Sequence, residues 1–505
     1  MNLAFGIHLP YALGRRAGLS GANCQSMGDF QTKACSAALS PAKVLAFRAD
    51  LAYAPRMSDK DHLSRQSGKQ QGDAKLPDSV KARRCAALAV MEVTANGKAL
   101  ELALASTEDY AALEPRDRAF ARAIAATVFR RSGQIKAVLK PFVRKKPTAP
   151  VQAVLQTAVA QIVFMDVPPH AAVGETVEVL KSRKTTLGFA NFANAVLRRV
   201  VEQGKQTAAA SPPKSNIPGW IRGEWERSYG KIPMTKIAVQ LIKDPGLDLT
   251  VTEKREDLAK ATGGTPVGRQ TLRLSSIGDV TALPGFEDGT WWAQDLAAAQ
   301  PAQILMAQFE TVKGVRALDM CAAPGGKTLQ LAAAGMDVTA VDKSAGRLKR
   351  LNENLIRTGL SATVIHKDAL EFDAQPFPAV LLDAPCSATG TFRRHPDVLY
   401  NRSPRSVADL VRLQDKLLPK AAALTAPGGV LVYAVCSLQP DEALPRITKF
   451  LENLPDFRLI PIPALPGLDL PPERFEGGMV RTLPCDMPKS GGLDGFFIAA
   501  FRRKE

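Results

Sequence analysis

The sequence predicts three folded regions in series: an all-α domain, a small α+β module, and an α/β domain built on a doubly wound, mostly parallel sheet. Three observations carry this reading. Residues 80–204 space apolar side chains at intervals of three and four, in segments such as RDRAFARAIAATVFRRSGQIKAVL, PVQAVLQTAVAQIVF and HAAVGETVEVLKSR. Residues 206–216, QTAAASPPKSN, then break the periodicity with Ala, Ser and Pro, as a linker does. From Val315 onward, short apolar runs alternate with helical stretches such as SAGRLKRLNENLIRTG and VADLVRLQDKLLPKAAALT, the pattern of βαβ units.

Taken in order, residues 1–79 read as a disordered or over-extended segment. The first 56 are basic and irregular, without an apolar run and cleavage site, and Met57 opens a polar leader, SDKDHLSRQSGKQQGDAKLPDS. An organelle-type presequence is the alternative. Residues 80–205 form the all-α domain and 206–216 the linker. Residues 217–312 mix a helix, IRGEWERSYG, with the strand-like DLTVT and TLRLS and an aromatic turn, GTWWAQD. In residues 313–505 the strands are VRALDM, DVTAVD, ATVIHKD, AVLLDAP and GVLVYAVCS. FRLIPI and GFFIAAF leave no room for a crossover helix and are expected to close the sheet as an antiparallel hairpin. Ligands of such sheets bind at the carboxyl ends of the strands, where Asp319, Asp342, Asp368, Asp383 and Cys436 all fall.

Composition narrows the partners. Lys and Arg number 66 against 49 Asp and Glu, a net charge of +17 in 505 residues, which calls for a polyanion and above all for nucleic acid. The excess is local: from Arg118 to Met165 there are nine basic residues and no acid, including Arg130, Arg131, Arg144, Lys145 and Lys146. The longest apolar stretches are interrupted by Gln, Thr, Pro or Gly, so no membrane span is expected. Seven cysteines without regular spacing make no disulfide framework, and with no C-x-x-C pair no metal site is expected; the compartment reads as reducing.

LDMCAAPGGKT, residues 318–328, has the look of a phosphate-gripping loop. A Walker loop needs a glycine five residues before Gly326, and that position is Cys321. Asp319 ends the preceding strand, where its charge repels a triphosphate. Asp342, ending the next strand, stands where mononucleotide-binding units put an acid on the ribose hydroxyls. An adenosine without phosphates and with a cationic part fits this set: S-adenosylmethionine, its carboxylate taken by backbone amides after Pro324, Gly325 and Gly326. A glycine turn beside two ordinary helix-facing acids is the other reading of the loop.

LLDAPCSATGTFRRHPDV and VYAVCSLQPDE each end a strand in a turn bearing a cysteine, Cys386 and Cys436. Two thiols on adjacent strands beside an acid and a methyl donor suit methylation of a pyrimidine ring carbon. Carbon 5 of cytosine becomes nucleophilic only after a thiolate adds at carbon 6, and an acid at the base edge keeps the ring electrophilic. Together DMCAAPGGKT, DAPCSATGTFRRHPDV, VCSLQPDE and the terminal GGLDGFFIAAF resemble the Sun/Fmu family of RNA cytosine carbon-5 methyltransferases, whose bacterial type acts on small-subunit ribosomal RNA. RDRAFARAIAATVFRR and NFANAVLRR resemble that family's NusB-like RNA-binding domain, and the likeness spans residues 80–505.

The resemblance implies a Rossmann-like class I methyltransferase domain behind the NusB-like one, with S-adenosylmethionine as cofactor. It implies methylation of carbon 5 of a cytosine, in 16S ribosomal RNA or a small-subunit assembly intermediate, through a covalent adduct of Cys436, with Cys386 assisting release. Cys321, Ala322, Ala323, Pro324, Gly325, Gly326 and Lys327 are implied to hold the methionine end, Asp342 the ribose and Asp368 the adenine region. Asp383 is implied to lie between the cofactor's amino group and the cytosine edge. Lys327 either orients the site electrostatically or caps the loop, and Arg393, Arg394 and His395 either grip RNA phosphate or form a structural turn. A cytoplasmic monomer is expected. Transfer RNA as substrate, or a non-catalytic RNA-binding assembly factor, remain the alternatives. The sequence departs from the family at Val435, where threonine is usual before the nucleophilic cysteine.

Overall fold

Leu76 and Pro77 lead into the first helix, Asp78–Asn96, two residues ahead of the expected boundary at residue 80. The structure is a computed structural model that describes residues 76–275, 280–463, 465 and 467–505, so the reading of residues 1–75 lies outside the described residues. The helical domain packs Asp78–Asn96, Pro115–Arg130, Ser132–Leu139, Pro169–Lys181 and Ala190–Ala210 around Ala149–Phe164. That last helix is apolar on nearly every side and buries almost all of its residues from Val151 to Val163, which marks it as the core helix of the domain. Proline at the first turn starts three of these helices, at Pro115, Pro150 and Pro169, where its missing N–H is no loss.

Residues 206–216, expected as a linker, continue the helix to Ala210 and then form the turn Pro213–Asn216. Asn216 is fully buried: its Oδ1 accepts from the Gln134 backbone at 3.0 Å, and its Nδ2 donates to the Gln134 side chain at 3.1 Å. Alanine is a good helix former, and the paired amides tie this segment to the helical domain, which is why a stretch composed like a linker is not extended.

Residues 217–312 divide in two. Helices Gly219–Tyr229 and Lys231–Leu241 pack Trp225 against Phe392 and Leu399 of the carboxyl-terminal domain, the Trp225 and Phe392 rings lying 6.0 Å apart. Fully burying such an aromatic contributes roughly 2–3 kcal/mol, enough to hold the helices there. The strands β1 (Leu247–Val251), β2 (Thr265–Val267), β3 (Thr271–Leu274) and β4 (Trp291–Ala293) make an antiparallel sheet in the order β2-β3-β1-β4. The aromatic segment expected as a turn is therefore strand β4, with Trp291 and Trp292 buried.

In the carboxyl-terminal domain the strands read from the sequence are β5 (Arg316–Met320), β6 (Asp337–Asp342), β7 (Thr363–His366), β8 (Phe377–Asp383) and β9 (Thr425–Val435). All run parallel, in the order β7-β6-β5-β8-β9. Connections leave β5 toward β6 on one side and return to β8 on the other, so the topological switch lies between β5 and β8, where a ligand crevice belongs. The sheet closes differently from the expected hairpin. Between β10 (Phe457–Leu459) and β13 (Phe497–Arg503) the chain inserts β11 (Phe475–Glu476) and β12 (Met479–Arg481). β13 runs antiparallel beside β9, with β12 and β10 both paired to β13 and β11 to β12. FRLIPI and GFFIAAF do pair antiparallel, but as partners across a loop rather than as one hairpin.

Candidate active site

The carboxyl ends of β5, β6, β8 and β9 open onto one cleft of about 330 Å³. Cys321, Ala323, Asp342, Asp368, Asp383, Cys386 and Cys436 all line it. Asp342 and Asp383 are the last residues of β6 and β8, while Cys321 and Cys436 directly follow β5 and β9. Ala322, Pro324, Gly325, Gly326 and Lys327 stand behind the lining.

The Cys386 and Cys436 sulfurs are 3.4 Å apart. The turn after β8 reaches β9 because the Ala384 N–H donates to the Ala434 carbonyl and the Gly390 N–H to that of Cys436. Residue 390 must be glycine, since a Cβ there would lie 1.9 Å from the Gly495 carbonyl oxygen. Two thiolates cannot share such a contact, and ionising Cys386 is disfavoured. Its thiol is pushed well above the usual range by the hydrogen bond with Cys436, by burial, and by the charges of Cys436 and Glu442. On the other side stands the Lys327 ammonium, 2.6 Å from an Asp383 oxygen. Burial alone would depress it, but Asp383 foremost and then Cys436 raise it, so a fixed cation lies within reach of Cys436. The partner of the Lys327 ammonium is thus the Asp383 carboxylate.

The loop from Cys321 fits the methionine end of S-adenosylmethionine. Gly325 has φ 109°, and a Cβ on it would come within 2.3 Å of Leu351 Cδ1, so only glycine permits this turn into helix Gly326–Ala333. Among the described residues no side chain caps that helix, and the first N–H with an in-helix carbonyl is that of Leu329, bonded to Gly325. The preceding first-turn amides are donors suited to a carboxylate. Asp342 is held facing the cleft by the Ser344 and Ala323 N–H groups at 2.8 and 3.2 Å and by the Arg347 guanidinium at 3.0 Å. Asp368 accepts from the Leu370 N–H, and Cys321 is an inert thiol, pushed up to about 12 by burial and then by Asp342.

Asp319 departs from the sequence reading. It is fully buried under the Thr328 hydroxyl, 2.6 Å away, and does not line the cleft; among the described residues its Oδ1 has no partner. Burial pushes its carboxyl up to about 7. From about pH 4 to 7 the folded state then holds a proton that the unfolded chain has lost, so stability falls as pH rises through that window and levels off above it. Asp319→Asn removes the titration. Its melting temperature relative to the parent should rise between pH 4 and 7 and stay level beyond; a constant difference would contradict the assignment.

Residues 306–502 match the family described as 16S rRNA methyltransferase RsmB/F, and residues 80–202 match the NusB family. The chain is 33% identical over 448 residues to the ribosomal RNA small subunit methyltransferase B of Salmonella arizonae, covering 84% of this chain and 98% of that protein. The protein of the same name from Vibrio cholerae is 32% identical over 459 residues, covering 84% and 97%. The chain belongs to the RsmB/F family of 16S rRNA methyltransferases. Two solved structures share its fold. The crystal structure of PH0851 has a TM-score of 0.64 at 22% identity, covering 86% of this chain and all of that one. NSun6 from Pyrococcus horikoshii with SFG has a TM-score of 0.50 at 20% identity, covering 57% and 98%.

Within this RsmB/F chain several basic residues of the sequence reading serve structure. Arg393 is buried, donating to the Gly491 carbonyl and lying 3.5 Å from Asp295; Arg394 pairs with Asp494, and burial beside Arg394 drops His395 to about 3. The two arginines neutralise the buried carboxylates Asp295 and Asp494, as a structural turn does. Arg130 donates to the carbonyls of Leu241, Lys243 and Arg393, and Arg131 to that of Ile242 while stacking on Phe164. Burial pushes Arg130 down to about 10. Both arginines fasten the helical domain to the end of helix Lys231–Leu241, and Arg130 also ties it to the segment after Cys386. Val435, the departure from the family, is fully buried in the sheet core, where its methyls pack without needing a hydroxyl.

Sequence reasoning missed Glu442. Fully buried, its Oε1 accepts from the Ser387 N–H at 2.8 Å and from Gln414 at 3.0 Å, while its Oε2 accepts from the Ser387 and Ser437 hydroxyls, both at 2.5 Å. The available signal was the Cys-Ser pair that occurs in both turns, with an acid following the second.

Proposed function

We propose that this protein methylates carbon 5 of a cytosine in 16S ribosomal RNA, with S-adenosylmethionine as cofactor, through a covalent adduct of Cys436. The observation that carries the reading is the sulfur pair, 3.4 Å apart, in a cleft that also holds Asp342 and Asp383. When bound, S-adenosylmethionine supplies an electrophilic methyl group on a sulfonium. The first-turn amides behind Gly325, together with Asp342 and Asp368, would hold it. The Cys436 sulfur forms a bond to carbon 6 as the carbon 5–carbon 6 electron pair moves into the ring, where a proton taken up from water neutralises it at the base edge and donates to the Asp383 carboxylate. Carbon 5 is thereby made nucleophilic. After methylation Cys386, its own proton given up to water in the open cleft, takes the carbon 5 proton; the carbon 5–hydrogen pair restores the carbon 5–carbon 6 double bond, and the carbon 6–sulfur pair returns to Cys436. The target base has to be unstacked or single-stranded to enter the cleft.

For the RNA contact we read a groove of about 280 Å³ in the helical domain, lined by Lys136, Lys140, Arg144, Lys146, Gln152 and Gln156 and by no acid. The Lys136 ammonium is depressed by burial and then by Lys146, a pair of like charges that a phosphate would relieve. The triple variant Lys140→Glu, Arg144→Glu, Lys146→Glu should weaken RNA binding at least about tenfold and flatten the slope of log K against log salt by roughly 2 to 3. An unchanged slope would make the groove a bystander.

No helix among the described residues is long and apolar enough to cross a membrane. With the family's substrate, this supports a cytoplasmic protein acting on ribosomal RNA or an assembling small subunit. Exposed large apolar side chains such as Ile232, Ile356 and Leu444 sit on separate elements, which suits a monomer. Bisulfite sequencing of 16S ribosomal RNA from cells with and without the gene tests the function: one protected cytosine that depends on the protein is expected, and an unchanged pattern refutes it.

A further inference from the structure

Each reactive cysteine is followed by a serine, and both serines hydrogen-bond to one carboxylate. Oε2 of Glu442 takes the hydroxyls of Ser387 and Ser437; Oε1 takes the Ser387 N–H and the Gln414 amide, which also donates to the Pro385 carbonyl at 2.9 Å. Cys386 is thus bracketed on both sides by groups that answer to Glu442. Thr389 extends the lattice, its hydroxyl within 3.1 Å of Ser387 and accepting from the Leu438 N–H. A carboxylate removed from water this completely is retained only with its lone pairs filled, as they are here.

The pair is also electrically lopsided. Glu442 adds to the cost of ionising Cys386, while on the other side the charge of Cys436 helps keep Lys327 protonated. Other charged or titratable groups near the two turns include Asp383 on Lys327, Arg402 and Arg481 donating to the Ser387 and Ser437 carbonyls, Tyr433, whose hydroxyl donates to the Glu442 carbonyl, Arg446 acting on Tyr433, and Glu224, which accepts from the Gln439 amide.

We propose that Glu442 is a positioning residue that locks the two cysteine turns together and whose charge, set beside Cys386, makes Cys436 the reactive sulfur. The proposal rests on the covalent mechanism above. Ordinary satisfaction of buried donors would need only the hydrogen bonds, whereas this role needs the charge.

Glu442→Gln separates the two. Its carbonyl oxygen can face the Ser387 N–H and Gln414, and its NH₂ the two hydroxyls, which can turn to accept; the lattice survives and the charge goes. The experiment treats the parent, Glu442→Gln and Glu442→Ala, without RNA or cofactor, with limiting iodoacetamide, and measures alkylation at Cys386 and Cys436 by peptide mass spectrometry. Melting curves run alongside. The parent should react chiefly at Cys436. In Glu442→Gln the Cys436-to-Cys386 ratio should fall about tenfold, the worth of one pK unit between the two thiols, with the melting temperature little changed. Glu442→Ala should lower both the ratio and the melting temperature. If Glu442→Gln does not fold, Glu442→Asp, which draws the charge back from Cys386, must still lower the ratio. A parent that reacts chiefly at Cys386, or a ratio unmoved in the folded variant, overturns the proposal. Failure of the proposed function would appear elsewhere, as a parent protein that prefers alkylation at Cys436 yet transfers no methyl group to RNA.

Discussion

Cys386→Ala should leave the enzyme covalently attached to its RNA. With labelled RNA and S-adenosylmethionine, a denaturing gel should show a retained, slowly cleared band for this variant and no such band for Cys436→Ala. The reason lies in the division of labour. Without Cys436 no bond to carbon 6 forms, and methyl transfer should fall by roughly 10³-fold or more, the scale on which removing a covalent nucleophile acts. Without Cys386 that bond still forms, and Lys327 remains 2.6 Å from Asp383 within reach of Cys436, but the proton acceptor for release is gone. Exchanged bands would mean that the Pro-Cys turn supplies the nucleophile and that the roles proposed here are reversed.

Asp342→Ala should weaken S-adenosylmethionine binding by about 1–3 kcal/mol, or roughly fivefold to 150-fold, as measured by calorimetry. The carboxylate accepts from the Ala323 and Ser344 N–H groups, so it shapes the loop as well as lining the cleft. Asp342→Asn keeps one acceptor oxygen and should lose less. Tight binding of ATP with none of S-adenosylmethionine would refute the cofactor reading of the loop.

The parallel strands were readable because each is a short apolar run ended by the acid or cysteine that reaches the cleft, as in DVTAVD and AVLLDAP. β11 and β12, two and three residues long, carry no pattern of their own and exist through pairing, β12 to β13 and β11 to β12. The cleft residues were legible for the same local reason: they sit at strand ends or in glycine turns. Glu442 was not, because its bonds to Ser387 span 55 positions of chain and no spacing reveals them. Arg130 misled for the complementary reason. In an acid-free stretch it looks solvated, yet its acceptors are carbonyls 111 to 263 residues away.

The separation of the two sulfurs also bears on timing. Cys386 is hard to ionise chiefly because it shares a hydrogen bond with Cys436, 3.4 Å off, whose charge would add to the cost. In the proposed sequence of events, attack turns the Cys436 sulfur into a neutral thioether that can neither donate a proton nor carry charge. The main obstacle to ionising Cys386 then disappears at the moment a proton acceptor is needed, leaving burial and Glu442 as the remaining brakes. Before attack, a basic Cys386 is suppressed and cannot compete for the incoming base; after it, the same group is released. The chemistry is given a direction by the exclusion of two like charges from one small space, without any moving part.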